Sequence, residues 1–161
     1  NALRSYALGR AKRIVRALPY CGSVGPSKAS SSSIHSSSLS MHGLRILAFE
    51  DSYDIKRMME MDGVKIEQFE SFNQQWRTDY ALEALKEFRP DVVLLDYYIP
   101  PITGLKVLRA LNEAVANKEI DRPRYIIGMS SVASCNNEML KEGADFAFVK
   151  HEMTSWNAWP R

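Results

Sequence analysis

Asp91-Val92-Val93-Leu94-Leu95-Asp96-Tyr97-Tyr98-Ile99-Pro100-Pro101-Ile102-Thr103-Gly104 is the stretch that decides how the chain folds. Val92 to Leu95 are consecutive apolar residues, half of them β-branched. The run is too short for a buried helix and reads as a central strand covered on both faces. Asp96 falls where that strand ends. Pro100 and Pro101 cannot extend strand pairing, and Thr103-Gly104 ahead of a helical pattern supplies a cap and a helix start. A carboxylate is thereby held at the carboxyl end of a strand, which is where open α/β sheets keep their chemistry.

Upstream, Ile46, Leu47, Ala48 and Phe49 form a second apolar run that stops at two acids, Glu50 and Asp51. A helical pattern follows from Asp54 to Met61, with Ile55, Met58 and Met59 on one side. Val64 and Ile66 alternate with Lys65 and Glu67, which predicts a half-exposed edge strand. Phe72 to Arg89 is polar at first, so that Asn73 to Tyr80 reads as a small insertion. It then turns helical around Leu82, Leu85 and Phe88 until Pro90. Downstream, Leu105, Leu108, Leu111 and Val115 mark a helix, and a polar connection from Asn117 to Arg124 leads to a strand at Tyr125 to Ile127, ending at Ser130-Ser131. A short helix from about Cys135 to Glu142 is stopped by Gly143. Phe146 to Val149 is the last strand and ends at Lys150.

Strand alternates with helix five times, the pattern of a doubly wound parallel sheet in an α/β domain. Right-handed crossovers then bring the strand ends to one edge. That rule gathers Glu50, Asp51, Asp96, Ser130 and Lys150 into one crevice.

The chain has 161 residues, 45% of them hydrophobic, with a formal net charge of +2. This is enough for one good core. The charge is unevenly spread: residues 1–40 hold Arg4, Arg10, Lys12, Arg13, Arg16 and Lys28 and no acid, so the remainder is net acidic. A mildly acidic folded part argues against nucleic acid as a direct partner. The first 18 residues can form a basic amphipathic helix, and the serine-rich stretch after it cannot build a core. Residues 1–40 therefore have the makeup of an organelle-targeting presequence, with a disordered tail or residues upstream of a start at Met41 as alternatives. Residues 41–161 are expected to form the domain. A first residue of Asn suggests that the chain is a fragment. Cys21 and Cys135 show no metal-site spacing and read as free thiols of a reducing compartment: the cytoplasm, or an organelle stroma or matrix if the presequence reading holds. No apolar run approaches the roughly 18 to 20 residues of a membrane span.

Crowded carboxylates repel one another, so the cluster must be partly protonated or hold a cation. Hard oxygen ligands with room for water suit Mg²⁺ better than zinc. Such a cation assists an aspartate attacking a phosphoryl group, while the ammonium of Lys150 and the hydroxyl of Ser130 can hold phosphoryl oxygens. Taken singly, each residue has a plainer reading: a solvated loop acid or helix cap, a surface lysine, a turn serine. Four strand ends supplying the required chemistry together outweigh those single readings.

From Leu44 to about Met153 the chain resembles the receiver domain of two-component response regulators. The resemblance is carried by Ile46-Leu47-Ala48-Phe49-Glu50-Asp51, by Asp96-x-x-x-Pro100-x-x-x-Gly104, by Met129-Ser130-Ser131, and by Gly143-Ala144-Asp145 leading to Phe148-Val149-Lys150. It implies a flavodoxin-like five-stranded sheet of order 2-1-3-4-5, with Asp96 as phosphoacceptor and Glu50 and Asp51 as the acidic pair. Mg²⁺ would be held by Asp51, Asp96 and the backbone carbonyl of Tyr98 beside Glu50. Ser130 would be the switch hydroxyl, Lys150 the phosphoryl-binding lysine and Phe148 the switch aromatic. The implied phosphodonor is a histidine kinase or phosphotransfer protein. The implied output is a rearranged face around the fourth helix and fifth strand that an unidentified downstream protein reads.

Two departures from the family's pattern stand out. Receivers usually follow the lysine with a proline in a cis bond, whereas His151 stands here. A non-proline cis bond costs about 3 to 4 kcal/mol, so a trans bond and a somewhat displaced lysine or loop are expected. The stretch from His151 to Arg161 is also short for a full final helix. Its tryptophans must dock, and either the chain continues beyond Arg161 or another element, the N-terminal segment or a partner, is expected to cover that side of the sheet. Bulky Tyr98 beside the acceptor is expected to slow access of water or a partner.

The leading reading is a stand-alone phosphorylation-controlled interaction switch rather than a turnover enzyme, limited to self-phosphorylation from small phosphodonors and autodephosphorylation. One alternative is a receiver-like scaffold that is not phosphorylated. Another is an aspartate-nucleophile phosphohydrolase, which Tyr98 disfavours by standing where a second acid would protonate the leaving group. Flavin binding is weaker still, because Glu50 and Asp51 repel a phosphate. No self-complementary patch fixes an oligomeric state.

Overall fold

The computed structural model describes residues 41–161. The expectations for the basic segment, the serine-rich stretch and Cys21 lie outside the described residues. The sheet contains β1 (Arg45–Phe49), β2 (Ser71–Gln75), β3 (Val92–Asp96), β4 (Tyr125–Met129) and β5 (Phe146–Phe148). The helices are α1 (Ile55–Met61), α2 (Ala81–Phe88), α3 (Gly104–Ala116), α4 (Ala133–Glu142) and the one-turn α5 (Lys150–Met153). All pairings are parallel and the strand order is β2-β1-β3-β4-β5, as the resemblance implied.

β3 is buried at every position because it is covered on both faces. Ile46, Ala48, Val92, Leu94, Ile127 and Met129 face a layer made by α1 and the C-terminal tail. Leu47, Phe49, Val93, Leu95 and Ile126 face α2, α3 and α4. Alternate side chains of a strand point to opposite faces, so an unbroken apolar run marks a strand with helices on either side. The caps follow from local chemistry. Asp54 accepts from Arg57 N, Thr103 accepts from Lys106 N, and Gly143 ends α4 at φ 111°.

Three expectations are corrected. The edge strand is not at Val64 to Glu67, where a 3₁₀ turn (Ile66–Gln68) lies. Val64 and Ile66 are buried by packing among the α1-side residues, which imitates a strand's alternation. The strand is Ser71–Gln75, polar because an edge strand is half covered, so the supposed insertion begins inside an element and only Trp76 to Tyr80 forms a loop. On the α1 side of the sheet the C-terminal tail itself docks, while the expected cover by the N-terminal segment lies outside the described residues. Trp156 and Trp159 are 8% and 3% exposed, with rings edge-on at 5.4 Å, and Trp159 meets Phe69 at 5.9 Å. Lys65 N donates to Pro160 O at 2.9 Å, and Thr154 hydrogen-bonds Asp62 just after α1. Finally, Lys150 opens α5 rather than closing β5.

Candidate functional site

Asp96 ends β3 and is 1% exposed, while Glu50, the residue after β1, is fully buried. Asp51 beside it is exposed. One carboxylate oxygen from each of Glu50, Asp51 and Asp96 lies within 4.8 Å of the others. The Lys150 ammonium stands 2.8 Å from Glu50 Oε2 and 3.1 Å from Asp96 Oδ1, and 5.4 Å from the centre of the Tyr53 ring. Four residues from three distant parts of the sequence thus meet where three parallel strands end.

The electrostatics follow from that crowding. Burial, and then the charge of Glu50, push the Asp96 carboxyl above the usual carboxylate range; Lys150 opposes them and Asp51 adds a little. Burial alone would lower Lys150, but its bond to Glu50 and the charge of Asp96 outweigh this and raise it. Asp96 Oδ2 is buried with no hydrogen-bond partner among the described residues. A buried carboxylate oxygen left unpartnered beside two further acids fits a hard divalent cation with oxygen ligands.

Ser130 follows Met129, the residue that β4 pairs with Asp96, and is fully buried. Its N–H donates to Phe148 O at 3.2 Å and its Oγ accepts from Val132 N at 3.1 Å, while Asn136 Nδ2 bonds Ser130 O and Phe148 O. Tyr98 is 60% exposed, and its hydroxyl lies 3.3 Å from Cys135 Sγ, a buried free thiol. Phe148 is placed differently from what a switch on the fourth-helix face requires. It stacks on Phe146 and lies 5.4 Å from Trp156, on the α1 side of the sheet. The α4-side position of β5 is Ala147, paired with Gly128, where Met139 of α4 packs. The Lys150–His151 bond is trans, since the one cis peptide among the described residues joins Pro100 to Pro101. The expected displacement of the lysine is not seen at its amine, which touches both acids.

No family model matches the chain. It is 27% identical over 123 residues to the two-component response regulator ARR15 of Arabidopsis thaliana, covering 71% of this chain and 59% of that protein. The chain therefore spans about three-fifths of that curated relative's length. A signal receiver domain of a response regulator from Bermanella marisrubri superimposes with a TM-score of 0.51 at 26% identity, over 66% of this chain and 84% of that one. The receiver domain of the histidine kinase CKI1 from Arabidopsis thaliana, solved with Mg²⁺ and BeF₃⁻, gives a TM-score of 0.57 at 16% identity, over 71% and 87%. The chain has the fold of a response-regulator receiver domain, and its sequence is similar to such domains.

Within this receiver-like fold, two contributions are not legible in the sequence. Gly104 was read as a helix start, yet a Cβ there would meet the Asp96 carbonyl oxygen at 2.0 Å, so no larger residue fits while α3 begins so close to the acceptor strand. Its place eight residues after Asp96 was the available signal. Tyr97 donates to Glu138 Oε2 at 2.6 Å, which pushes its phenol up to about 12 and ties the residue after Asp96 to α4. Nothing in the local sequence pointed to that bond. No described helix is long and apolar enough to cross a membrane.

Proposed function

We propose that this receiver domain accepts a phosphoryl group on Asp96, with Mg²⁺ held by Asp51 and Asp96 and the Tyr98 carbonyl beside Glu50, and so controls a protein–protein interaction face. The observation that carries the reading is the meeting of Glu50, Asp51 and Asp96 within 4.8 Å under the Lys150 ammonium. The CKI1 receiver's complex with Mg²⁺ and BeF₃⁻ supports it by likeness of fold. The phosphodonor is a histidine kinase or phosphotransfer protein, and the compartment is a reducing one, cytoplasm or organelle stroma or matrix.

An ionised Asp96 oxygen attacks phosphorus. The donor's phosphorus–nitrogen bond breaks with its electron pair on the imidazole, which takes up one proton as it leaves. Bound Mg²⁺ supplies neutralisation of the phosphoryl oxygens as dianion and carboxylate approach. Lys150 leaves its contact with Asp96 to hold a phosphoryl oxygen, while Glu50 keeps the ammonium in place. Ser130, at the end of the adjoining strand, offers its hydroxyl to another oxygen and links the site to α4 through Asn136.

Incubation with acetyl phosphate and Mg²⁺ is expected to add one phosphoryl group by intact mass, and Asp96→Asn to abolish it. A second reading, a scaffold that keeps the fold without phosphorylation, draws on the ion pairs of Lys150 with Glu50 and Asp96, which compensate the acids without a metal. No added mass on a folded protein would favour it. Steady turnover of phosphate esters, lost in Asp96→Asn, would favour a phosphohydrolase.

A further inference from the structure

Gln74 on the edge strand β2 reaches under the loop that carries the acidic pair. Its Nε2 donates to Glu50 O at 3.0 Å and to Tyr53 O at 2.7 Å, and its Oε1 accepts from Ile55 N at 3.0 Å. Both amide hydrogens and the amide oxygen are engaged, each with a backbone group of the β1–α1 segment. With the amide turned over, its oxygen would face two carbonyl oxygens and its NH₂ an N–H, so only this orientation satisfies the set. Ile55 N is one of the first N–H groups of α1 and has no acceptor within the helix; Gln74 supplies it alongside the Asp54 cap.

The loop so fastened is the one that presents Glu50 and Asp51. Glu50 Oε1 is held from the same loop, by Ser52 N at 2.9 Å and Tyr53 N at 3.2 Å, which leaves Oε2 for Lys150. Gln74 thus fixes the backbone at Glu50, Tyr53 and Ile55, and the loop in turn fixes the carboxylate. We propose that Gln74 is the positioning residue of the acidic loop and sets the affinity of the site for a divalent cation. The metal half of this statement rests on the function proposed above; the fastening of the loop does not.

The variant is Gln74→Met, close in volume and uncharged but without donor or acceptor, with Gln75→Met as control, since among the described residues the Gln75 side chain bonds only Asn73. Magnesium affinity is measured by calorimetry, and amide exchange at Ser52, Tyr53 and Ile55 is measured without metal. Partners that orient metal ligands are commonly worth about 10- to 100-fold in metal affinity. Gln74→Met is expected to weaken Mg²⁺ binding within that range and to speed exchange of those three amides, while exchange in β4 and Gln75→Met stay as in the unaltered protein. Unchanged affinity in Gln74→Met would overturn the proposal, as would a lowered melting temperature with affinity intact, which is what a merely structural role gives. If the unaltered protein itself binds no Mg²⁺, the proposed function fails at its metal; exchange then decides alone, and undisturbed loop protection would overturn the fastening. Should Gln74→Met not fold, Gln74→Asn, one methylene shorter and unable to span both carbonyls, answers the same question.

Discussion

Asp96 and Lys150 each favour the charged form of the other, against the burial that opposes both. Because burial and Glu50 raise the Asp96 pKa, the carboxyl binds its proton more readily folded than unfolded. Its contribution to stability is present below the ordinary carboxylate range and is lost as pH rises through the raised value. Asp96→Asn is therefore expected to melt a few degrees above the unaltered protein at neutral pH in EDTA, with the gap closing in acid as Asp96 itself takes up a proton; calorimetry from pH 7 downward checks it. Lys150 runs the other way. Its raised pKa keeps its stabilisation complete below the ordinary lysine range, to be lost only as pH climbs through the folded value. Lys150→Met leaves Glu50 and Asp96 facing each other without a counter-charge at a side chain 15% exposed. The expected cost is about 3 kcal/mol by urea unfolding at pH 7, the lower end of the range for broken buried pairs, because the lysine side chain is not fully buried. That cost should shrink in acid for the reason that Asp96→Asn stabilises.

At the scale of elements, the tail after α5 does the work of a longer final helix. Trp159 is buried among Phe69 and Trp156, and its Nε1 donates to Met153 O at 2.7 Å. Trp159→Ala is expected to cost roughly 3 to 5 kcal/mol and Trp159→Phe about 1 to 2, for the lost hydrogen bond and part of the ring; urea titration separates them. The sequence showed that two tryptophans had to dock but not where, because a tail without periodicity carries no face. Central strands were legible for the opposite reason: β1, β3 and β4 are covered on both sides, so Ile46 to Phe49, Val92 to Leu95 and Tyr125 to Ile127 stand out as apolar runs. β2 was not, because an edge strand is under weaker demand to be apolar. Ser71–Gln75 satisfies its pairing through the backbone and spends a side chain, Gln74, on the neighbouring loop. Val64 and Ile66 meanwhile mimicked alternation by packing beneath a helix end. The carboxylates and the lysine were legible because strand ends in a parallel sheet share an edge. Phe148 was misjudged by one position of a period-two pattern: its neighbour Ala147 faces α4, and bonds from the residues just after the acceptor strand reach α4 through Tyr97 and Glu138 and through Tyr98 and Cys135.

For the molecule as a whole, the acidic edge sets three carboxylates against the Lys150 ammonium among the described residues, and the proposed function would make the fold responsive to a cation. Glu50, Asp51 and Asp96 bring three formal negative charges against Lys150 at the site, so the folded chain gathers charge that the unfolded chain keeps apart. A divalent ion that binds the gathered acids and not the dispersed ones stabilises the folded state by mass action, about 2.7 kcal/mol at a hundredfold excess over its Kd. Melting temperature is accordingly expected to rise with the logarithm of Mg²⁺ concentration once the Kd is passed. Asp51→Asn should flatten the response while leaving the metal-free melting temperature near that of the unaltered protein, since Asp51 is exposed and among the described residues its side chain bonds only Ser52. Lowering the pH should flatten it too, because Asp96 takes up its proton at a higher pH than an ordinary carboxyl and a protonated acid has surrendered its place as a ligand. A Mg²⁺ response that survives both changes would mean that the ion acts elsewhere on the molecule, and the edge would then be a self-compensated ion-pair cluster.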